Sequence, residues 1–480
     1  MKKKNKIKDN SYVNDVVDKL ECIAEIAVLS VIYFYFWRFQ YDAALFPPLQ
    51  HRGRFVIAGV YALLLIIGFV WTEGFRWGYL KRLDVVISQG VSIFVVNFIS
   101  YWQLSLIGNG MIPVMPMVKL TGVQLLTSIV ACFLFTKIYF HLHSKKNMVM
   151  IYGTENALKL QFKANNRLSQ YHVSKAISVD TDFIDILSEI NRYDGVIIND
   201  LPGKKRNNIL KYCYFNGIDA YVVPKISDII IRGADDFNLL DTPIVVTHGK
   251  GLTLTQRMTK RIMDVVLCLI AMVPASVIML ITALFIKLDD GGPVFFRQER
   301  VTRNGKHFDV IKFRSMIVDA EKYNKPIPAV DQDPRITKVG RIIRATRIDE
   351  LPQLFNILKG DMSIVGPRPE RVEHVEKYSR EIPEFIYREK VKGGLTGYAQ
   401  IYGRYNTSAY DKLRLDLMYI EDYSLVLDIK MIFRTIRILF QKDSTEGFDK
   451  AEELEQLKED EVEKIRKALD DDESCRLYLH

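Results

Sequence analysis

Paired cysteines and a glycine-rich phosphate loop are missing from this sequence, and a secretory leader is not expected. Its five cysteines, Cys22, Cys132, Cys213, Cys268 and Cys475, are scattered, and none forms a CxxC pair. That pattern excludes a zinc ribbon and a disulfide framework and leaves reduced thiols. No GxGxxG stretch follows an apolar strand; the turn YGTENA (152–157) carries one glycine, so the dinucleotide fingerprint is absent. The first apolar block starts late and others follow it, unlike a cleaved signal peptide. Acidic residues are also in deficit, with 57 Asp+Glu against 66 Lys+Arg, a formal charge of +9. Such a balance suits anionic partners. The cations lie at the edges of apolar blocks or inside one motif-rich stretch, so lipid headgroups and phosphates are the expected partners, and nucleic acid is not.

The chain does have apolar residues in long runs. Its 480 residues exceed one typical domain. Four apolar blocks, near 20–37, 55–72, 84–102 and 118–140, precede residue 141. Each approaches the roughly 20 residues that cross a bilayer. Trp37, Trp71, Trp77 and Trp102 sit near block ends, where amphipathic rings favour the interface. Buried core helices are the competing reading, but four such blocks in succession seldom fit a soluble fold. MKKKNKIK at the start, Arg76, Lys81 and Arg82 after the second block and HSKK (143–146) after the fourth are basic, whereas 103–117 has no Lys or Arg. The loop at 38–54 is less clean, holding Arg38, Arg52 and Arg54. Four crossings with residues 1 and 147 in the cytoplasm follow from the positive-inside rule.

From residue 148 strands and helices alternate. MVMIYG (148–153), DGVIIND (194–200), IDAYVVP (218–224) and DTPIVVTHG (241–249) read as strands; TDFIDILSEINRY (181–193, capped by Thr181) and KKRNNILKYCYFNG (204–217) read as helices. A small parallel α/β domain of Rossmann-like type is expected. Without a phosphate fingerprint, a structural, regulatory or dimerising role outweighs nucleotide binding.

A fifth apolar block, 262–288, is long enough to span. Arg257, Lys260 and Arg261 precede it and Lys287, Arg297, Arg300, Arg303 and Lys306 follow it, so both flanks read as cytoplasmic. Pro274 lies at its centre and removes a helix hydrogen bond. The expectation is a re-entrant membrane helix broken at Pro274; a plain crossing would place 289–480 outside.

The stretch RIDELPQLFNILKGDMSIVGPRPE (347–370) sets Asp349 beside Glu350. Leu351, Leu354, Phe355 and Leu358 have helical spacing, which predicts a helix over 350–359, ended by Gly360, with Asp349 at its start. Asp349 as a simple helix cap is one reading. Lys312, Arg314, Arg341, Arg344 and Arg368 favour another. Converging cations bind phosphate, and an ionised carboxylate among them can attack phosphorus. Arginines or Mg²⁺ must then offset the repulsion between carboxylate and diphosphate.

FFRQERV, KFRSM, DELPQL, GDMS, VGPRPE and GLTGYAQ, in this order after a hydrophobic hairpin, resemble the bacterial sugar transferase family, the polyprenyl-phosphate glycosyl-1-phosphate transferases. The resemblance covers about 255–445, and the whole chain is similar to the family's large form. It implies transfer of a sugar-1-phosphate from a UDP-sugar donor to undecaprenyl phosphate, with release of UMP, at the start of capsule, exopolysaccharide or O-antigen synthesis. It implies Asp349 as nucleophile forming an aspartyl-phosphosugar and Glu350 as the second acid. It further implies Arg344 and Arg368 as phosphate contacts, with Lys312 and Arg314 as further ones, and Mg²⁺ at Asp349. A multi-pass protein of the bacterial inner membrane follows, with the catalytic domain on the cytoplasmic face, and a homodimer. Two departures stand out: Val273-Pro274 replaces the family's frequent Ser-Pro, and KGG (392–394) replaces KPG, suggesting a looser loop there.

The expected organisation is therefore a four-helix transmembrane domain (1–146), a Rossmann-like α/β domain (147–250), a mainly α catalytic domain (251–442) and a charged tail (443–480). Helices at 415–440, with Lys430, Arg434 and Arg437, read either as headgroup-lying or as core helices. Two other functions stay open: a membrane-anchored assembly or regulatory protein, and a transferase working through a ternary complex.

Overall fold

The computed structural model describes residues 2–41, 51–153, 160–161, 165, 171–249, 251–318, 333, 335–403 and 407–439. The charged tail expected at 443–480 lies outside the described residues. The chain forms two compact units, Met1–Val223 and Pro224–His480.

In the first unit, four long helices form in the four apolar blocks: α1 (Lys2–Gln40), α2 (His51–Thr72), α3 (Arg82–Ile107) and α4 (Val114–Leu142). Each holds a stretch long and apolar enough to cross a membrane. All outrun the apolar blocks, because the flanking polar residues continue the helix. Their core is partly polar. Gln89 Nε2 donates to Glu25 Oε2 at 3.1 Å, and Gln89 Oε1 accepts from Ser128 Oγ at 2.5 Å. Tyr61 bonds Asn97 at 2.8 Å and stacks on Tyr33 with centroids 3.7 Å apart. Such bonds join helices where water cannot compete.

The α/β part is a four-stranded parallel sheet in the order β2-β1-β3-β4. Its strands are β1 (Lys146–Tyr152), β2 (Tyr171–Ser178), β3 (Gly195–Asn199) and β4 (Asp219–Val222). Helices α5 (Phe183–Ile190) and α6 (Gly203–Asn216) connect them. The cap of α5 is Asp182, accepting from Ile184 N at 3.3 Å, and not Thr181. Gly217 closes α6 at φ 63°, a conformation that favours glycine.

The second unit opens with α7 (Ile226–Arg232) and an antiparallel hairpin, β5 (Asp235–Leu239) with β6 (Thr242–Val246). The strand expected at 241–249 is thus a hairpin arm and not a fifth parallel strand, because the segment before it supplies a local partner through a tight turn at Leu240.

Helix α8 (Leu254–Asp290, 37 residues) contains Pro274 yet is continuous. The break expected there is absent. A proline costs one main-chain hydrogen bond but keeps a helical φ, and the flanking residues hold the helix on both sides. One stripe of α8, including Lys260, Asp264, Cys268, Ala275, Met279 and Ile286, is buried; Ile262, Ile270, Val277 and Leu284 on other faces are exposed. Both ends bind the same unit. Lys260 Nζ donates to Asp428 at 2.5 Å and Arg261 to the Ile357 and Leu358 carbonyls at 2.5 and 2.6 Å. Asp290, at the far end, pairs with Arg314.

Beyond α8 come the hairpin β7 (Phe295–Val301) and β8 (His307–Phe313), α9 (Lys338–Ala345), α10 (Gln353–Lys359) and β9 (Ser363–Val365). Then follow α11 (Val372–Glu381), β10 (Gly394–Thr396), α12 (Tyr398–Tyr402), α13 (Ala409–Glu421) and α14 (Leu425–Leu439). Of the two readings for 415–440, the core one holds. Leu417, Tyr419, Ile420 and Met431 belong to the unit's core, and Arg437 is buried.

Candidate active site

The acid pair lies between two helices. Helix α9 begins at its cap Thr337, whose side chain accepts from Gly340 N at 2.9 Å. It ends before Arg347, which takes φ 57°. Ile348–Glu350 then forms one 3-10 turn, and α10 starts only at Gln353. Both acids therefore sit in the turn and not at the head of α10. Pro352 stands at the cap of α10 with φ −62°, and its missing N–H suits a helix start. Gly360, at φ 95°, closes α10.

Two cations from different elements meet on one oxygen. Lys312 of β8 donates to Glu350 Oε1 at 3.0 Å, and Arg368, in the turn after β9, donates to the same atom at 2.9 Å. Burial alone would raise the Glu350 carboxyl; Lys312 and Arg368 outweigh it and hold it well below its ordinary value. Burial lowers the Lys312 ammonium against the pull of Glu350, and Glu350 raises Arg368. Glu350 thus sits as the counter-charge to Lys312 and Arg368.

Asp349 differs. Among the described residues none donates a hydrogen bond to its carboxylate. Burial first, then the charge of Glu350, raises its pKa, opposed by Lys312, Arg344 and Arg368. A more basic carboxylate without hydrogen-bond donors is a better nucleophile than a solvated one.

The structure brings Asp349, Glu350, Lys312 and Arg368 together, with Arg344 of α9 close enough to pull on Asp349. Arg314 is engaged elsewhere. Its Nη1 bonds Asp290 at 2.6 Å and its Nε the Pro293 carbonyl at 2.6 Å. Pro274 lies inside α8. Arg300 was not singled out from sequence as a site residue. It donates to the Pro369 carbonyl at 3.1 Å, and burial, joined by the charge of Arg368, lowers its guanidinium to about 10. Its place in FFRQERV was the available signal.

The KGG loop is not loose. Gly393 is buried, and a Cβ there would stand 2.5 Å from Pro369 Cγ; one at Gly394 would collide with Gly366 N. These glycines let β10 approach the 366–370 turn. The described residues contain no group of three or more His, Cys, Asp or Glu side chains able to hold a metal. An Mg²⁺ ion here would need oxygens from a substrate beside Asp349, which suits its habit of binding one or two carboxylates plus phosphates.

Fold and site define a membrane protein whose second unit joins an unencumbered carboxylate to an anion-binding cation pair. Residues 255–442 match the family model described as bacterial sugar transferase. A UDP-N-acetylgalactosamine-undecaprenyl-phosphate N-acetylgalactosaminephosphotransferase of Aeromonas hydrophila is 39% identical over 263 residues, 52% of this chain and 59% of that protein. A UDP-glucose:undecaprenyl-phosphate glucose-1-phosphate transferase of Caulobacter vibrioides is 42% identical over 192 residues, 38% of this chain and 71% of that protein. The uncharacterized sugar transferase EpsL of Bacillus subtilis is 40% identical over 178 residues, 37% of this chain and 85% of that protein. The chain belongs to the bacterial sugar transferase family. It spans between 43% and 60% of the length of longer relatives that it matches.

Proposed function

We propose that the chain transfers a sugar-1-phosphate from a UDP-sugar to undecaprenyl phosphate and releases UMP, and that residues 251–442 carry the reaction. The supporting observation is the asymmetry of the acid pair. Glu350 is held by Lys312 and Arg368 on one oxygen, whereas no described residue donates to the Asp349 carboxylate.

In this reading an Asp349 oxygen attacks the sugar-bearing phosphorus. The bond from that phosphorus to the UMP oxygen breaks, and UMP leaves with the electron pair. An oxygen of the lipid phosphate then attacks the same phosphorus and expels the Asp349 carboxylate. Arg368, Lys312 and Arg344 bind and orient the diphosphate oxygens; Glu350 keeps the first two in place. Arg314 ties the end of β8 to the end of α8 through Asp290. Asp349 would be the residue to hold Mg²⁺, which would supply charge neutralisation.

The placement of α8 supports action from one face of the bilayer. Both of its ends bind the same unit while several of its apolar side chains are exposed, which supports a helix that keeps both ends on the side of the catalytic domain. The basic loops make that side the cytoplasmic face of the bacterial inner membrane. A homodimer completes the reading, and mass photometry in detergent tests it. The relatives' names carry different sugars, so the donor is left to experiment, as are the capsule, exopolysaccharide or O-antigen pathways the product would enter.

The test is UMP release from a panel of UDP-sugars by the purified chain with Mg²⁺ and undecaprenyl phosphate, with and without chelator, and mass spectrometry of the enzyme after donor alone. Release from one donor, with a phosphosugar adduct on Asp349, supports the reading. Release without any adduct favours a ternary complex, and no release from any donor favours the assembly or regulatory protein.

A further inference from the structure

The turn Gly366–Glu370 has no regular structure, yet four successive carbonyls are pinned. Pro367 O accepts from Gly394 N at 2.8 Å, Arg368 O from Arg388 Nη2 at 2.8 Å, Pro369 O from Arg300 Nη1 at 3.1 Å and Glu370 O from Val301 N at 3.1 Å. Two of these donors are backbone groups of β10 and β7. The other two are arginine side chains, and they hold the carbonyls of Arg368 and Pro369.

Arg388 is the more deeply set of the two. Its side chain is 6% exposed, and its partner Asp416 1% exposed. It donates to Asp416 Oδ2 through Nε at 3.0 Å and Nη2 at 2.7 Å. Its guanidinium carbon lies 4.9 Å from the centre of the Phe385 ring, and its Nη1 lies 3.8 Å from Glu370. A buried guanidinium is tolerated only when its donors are matched. Here the planar fork spans a carboxylate and a main-chain carbonyl together, in a fixed geometry that a lysine's flexible ammonium does not reproduce. A cavity of about 20 Å³, lined in part by Thr302, Arg368, Arg388 and Gly393, adjoins this fork. It has room for about one water molecule.

We propose that Arg388, oriented by Asp416, is a positioning residue: it fixes the main chain of Arg368 so that the Arg368 guanidinium stays on Glu350, beside Asp349. Arg388 itself touches Arg368 O, Asp416 and Glu370 and so acts through Arg368. This rests on the transferase reading above. Its competitor is a purely structural role, in which the Arg388–Asp416 pair only holds α13 to the segment Pro383–Lys390.

A double-mutant cycle separates the two. UMP release by the full chain is measured for wild type, Arg388→Lys, Asp416→Asn and Arg368→Ala, and for each of the first two substitutions combined with Arg368→Ala, with Tm recorded for all. Arg388→Lys and Asp416→Asn are each expected to lower kcat/KM by about tenfold to a hundredfold, since small displacements of a substrate-binding group cost that much. With Arg368 already removed, the same substitutions are expected to change the residual rate by less than about twofold, because the coupled partner is gone. Asp416→Asn keeps the side-chain volume and carries the test if Arg388→Lys does not fold. Equal losses in both backgrounds, or a wild-type rate in Arg388→Lys, would overturn the positioning role while leaving the transferase reading intact. A wild-type chain that releases no UMP from any donor would overturn that reading first and this one with it.

Discussion

Arg368 donates through Nη2 to Glu350 Oε1 at 2.9 Å, across 18 positions of sequence. The bond links the turn after β9 to the 3-10 turn of the acid pair, and Glu350 keeps the guanidinium at the site. Arg368→Lys retains the charge and loses the fork. Its expected cost is about 1.5–3 kcal/mol, the range for a hydrogen bond to a charged group, or roughly tenfold to a hundredfold in kcat/KM. Tm should change little, because Arg368 is 39% exposed. Steady-state kinetics on the substituted chain check this; unchanged kcat/KM would remove Arg368 from the site.

Asp349→Asn should abolish UMP release and the phosphosugar adduct. Its Tm should stay level or rise. Burial and Glu350 raise the pKa of Asp349 in the fold, so the ionised form is disfavoured there at neutral pH, and a neutral amide removes that penalty. Full activity in this variant would return Asp349 to a role in the local turn.

The same shift has a kinetic consequence. Attack needs the ionised carboxylate, and the folded value lies above the ordinary 3.8. The rate should therefore fall as pH drops through a midpoint above 3.8. A profile of kcat/KM against pH, recorded where the protein stays folded, reads this limb directly. A midpoint at or below 3.8 would contradict the burial of Asp349.

Arg314→Gln should behave as a stability variant. Arg314 is 8% exposed at its side chain and is bound to Asp290 and to the Pro293 carbonyl. Breaking a buried pair costs about 3–5 kcal/mol, and less here because Asp290 is partly solvated. Tm should drop by several degrees while KM for the donor stays within about twofold, since the substituted group binds no substrate. A large rise in KM with an unchanged Tm would instead place Arg314 on the phosphates.

The family motifs were legible in the sequence because they are contiguous and chemically unusual. The neighbours Asp349 and Glu350 and the cations that meet them were readable as a constellation. Lys312 lies where the sequence reading put it, on Glu350, whereas Arg314, two positions on, misled. Residues two apart share a face on a strand, but β8 stops at Phe313, and Arg314 turns to the end of α8. Strand β2 went unread because it is an edge strand with a partly polar, half-exposed pattern. Arg388 and Asp416 were invisible as a pair, since 28 positions separate them and only packing brings a guanidinium and a carboxylate into one buried place. The helix through Pro274 shows the limit of a single-residue rule, because a proline inside a long apolar helix weakens it at one point without ending it.

The pinned turn at 366–370 has a thermodynamic consequence. Ordering a free loop costs about 1–2 kcal/mol of backbone entropy per residue. Here that ordering is complete once the unit has folded: two prolines restrict φ, and four carbonyls are already engaged. An anion arriving at Arg368 meets a guanidinium on a backbone with little freedom left to lose. More of its interaction energy is then expressed as affinity, and less is spent on organising the receptor.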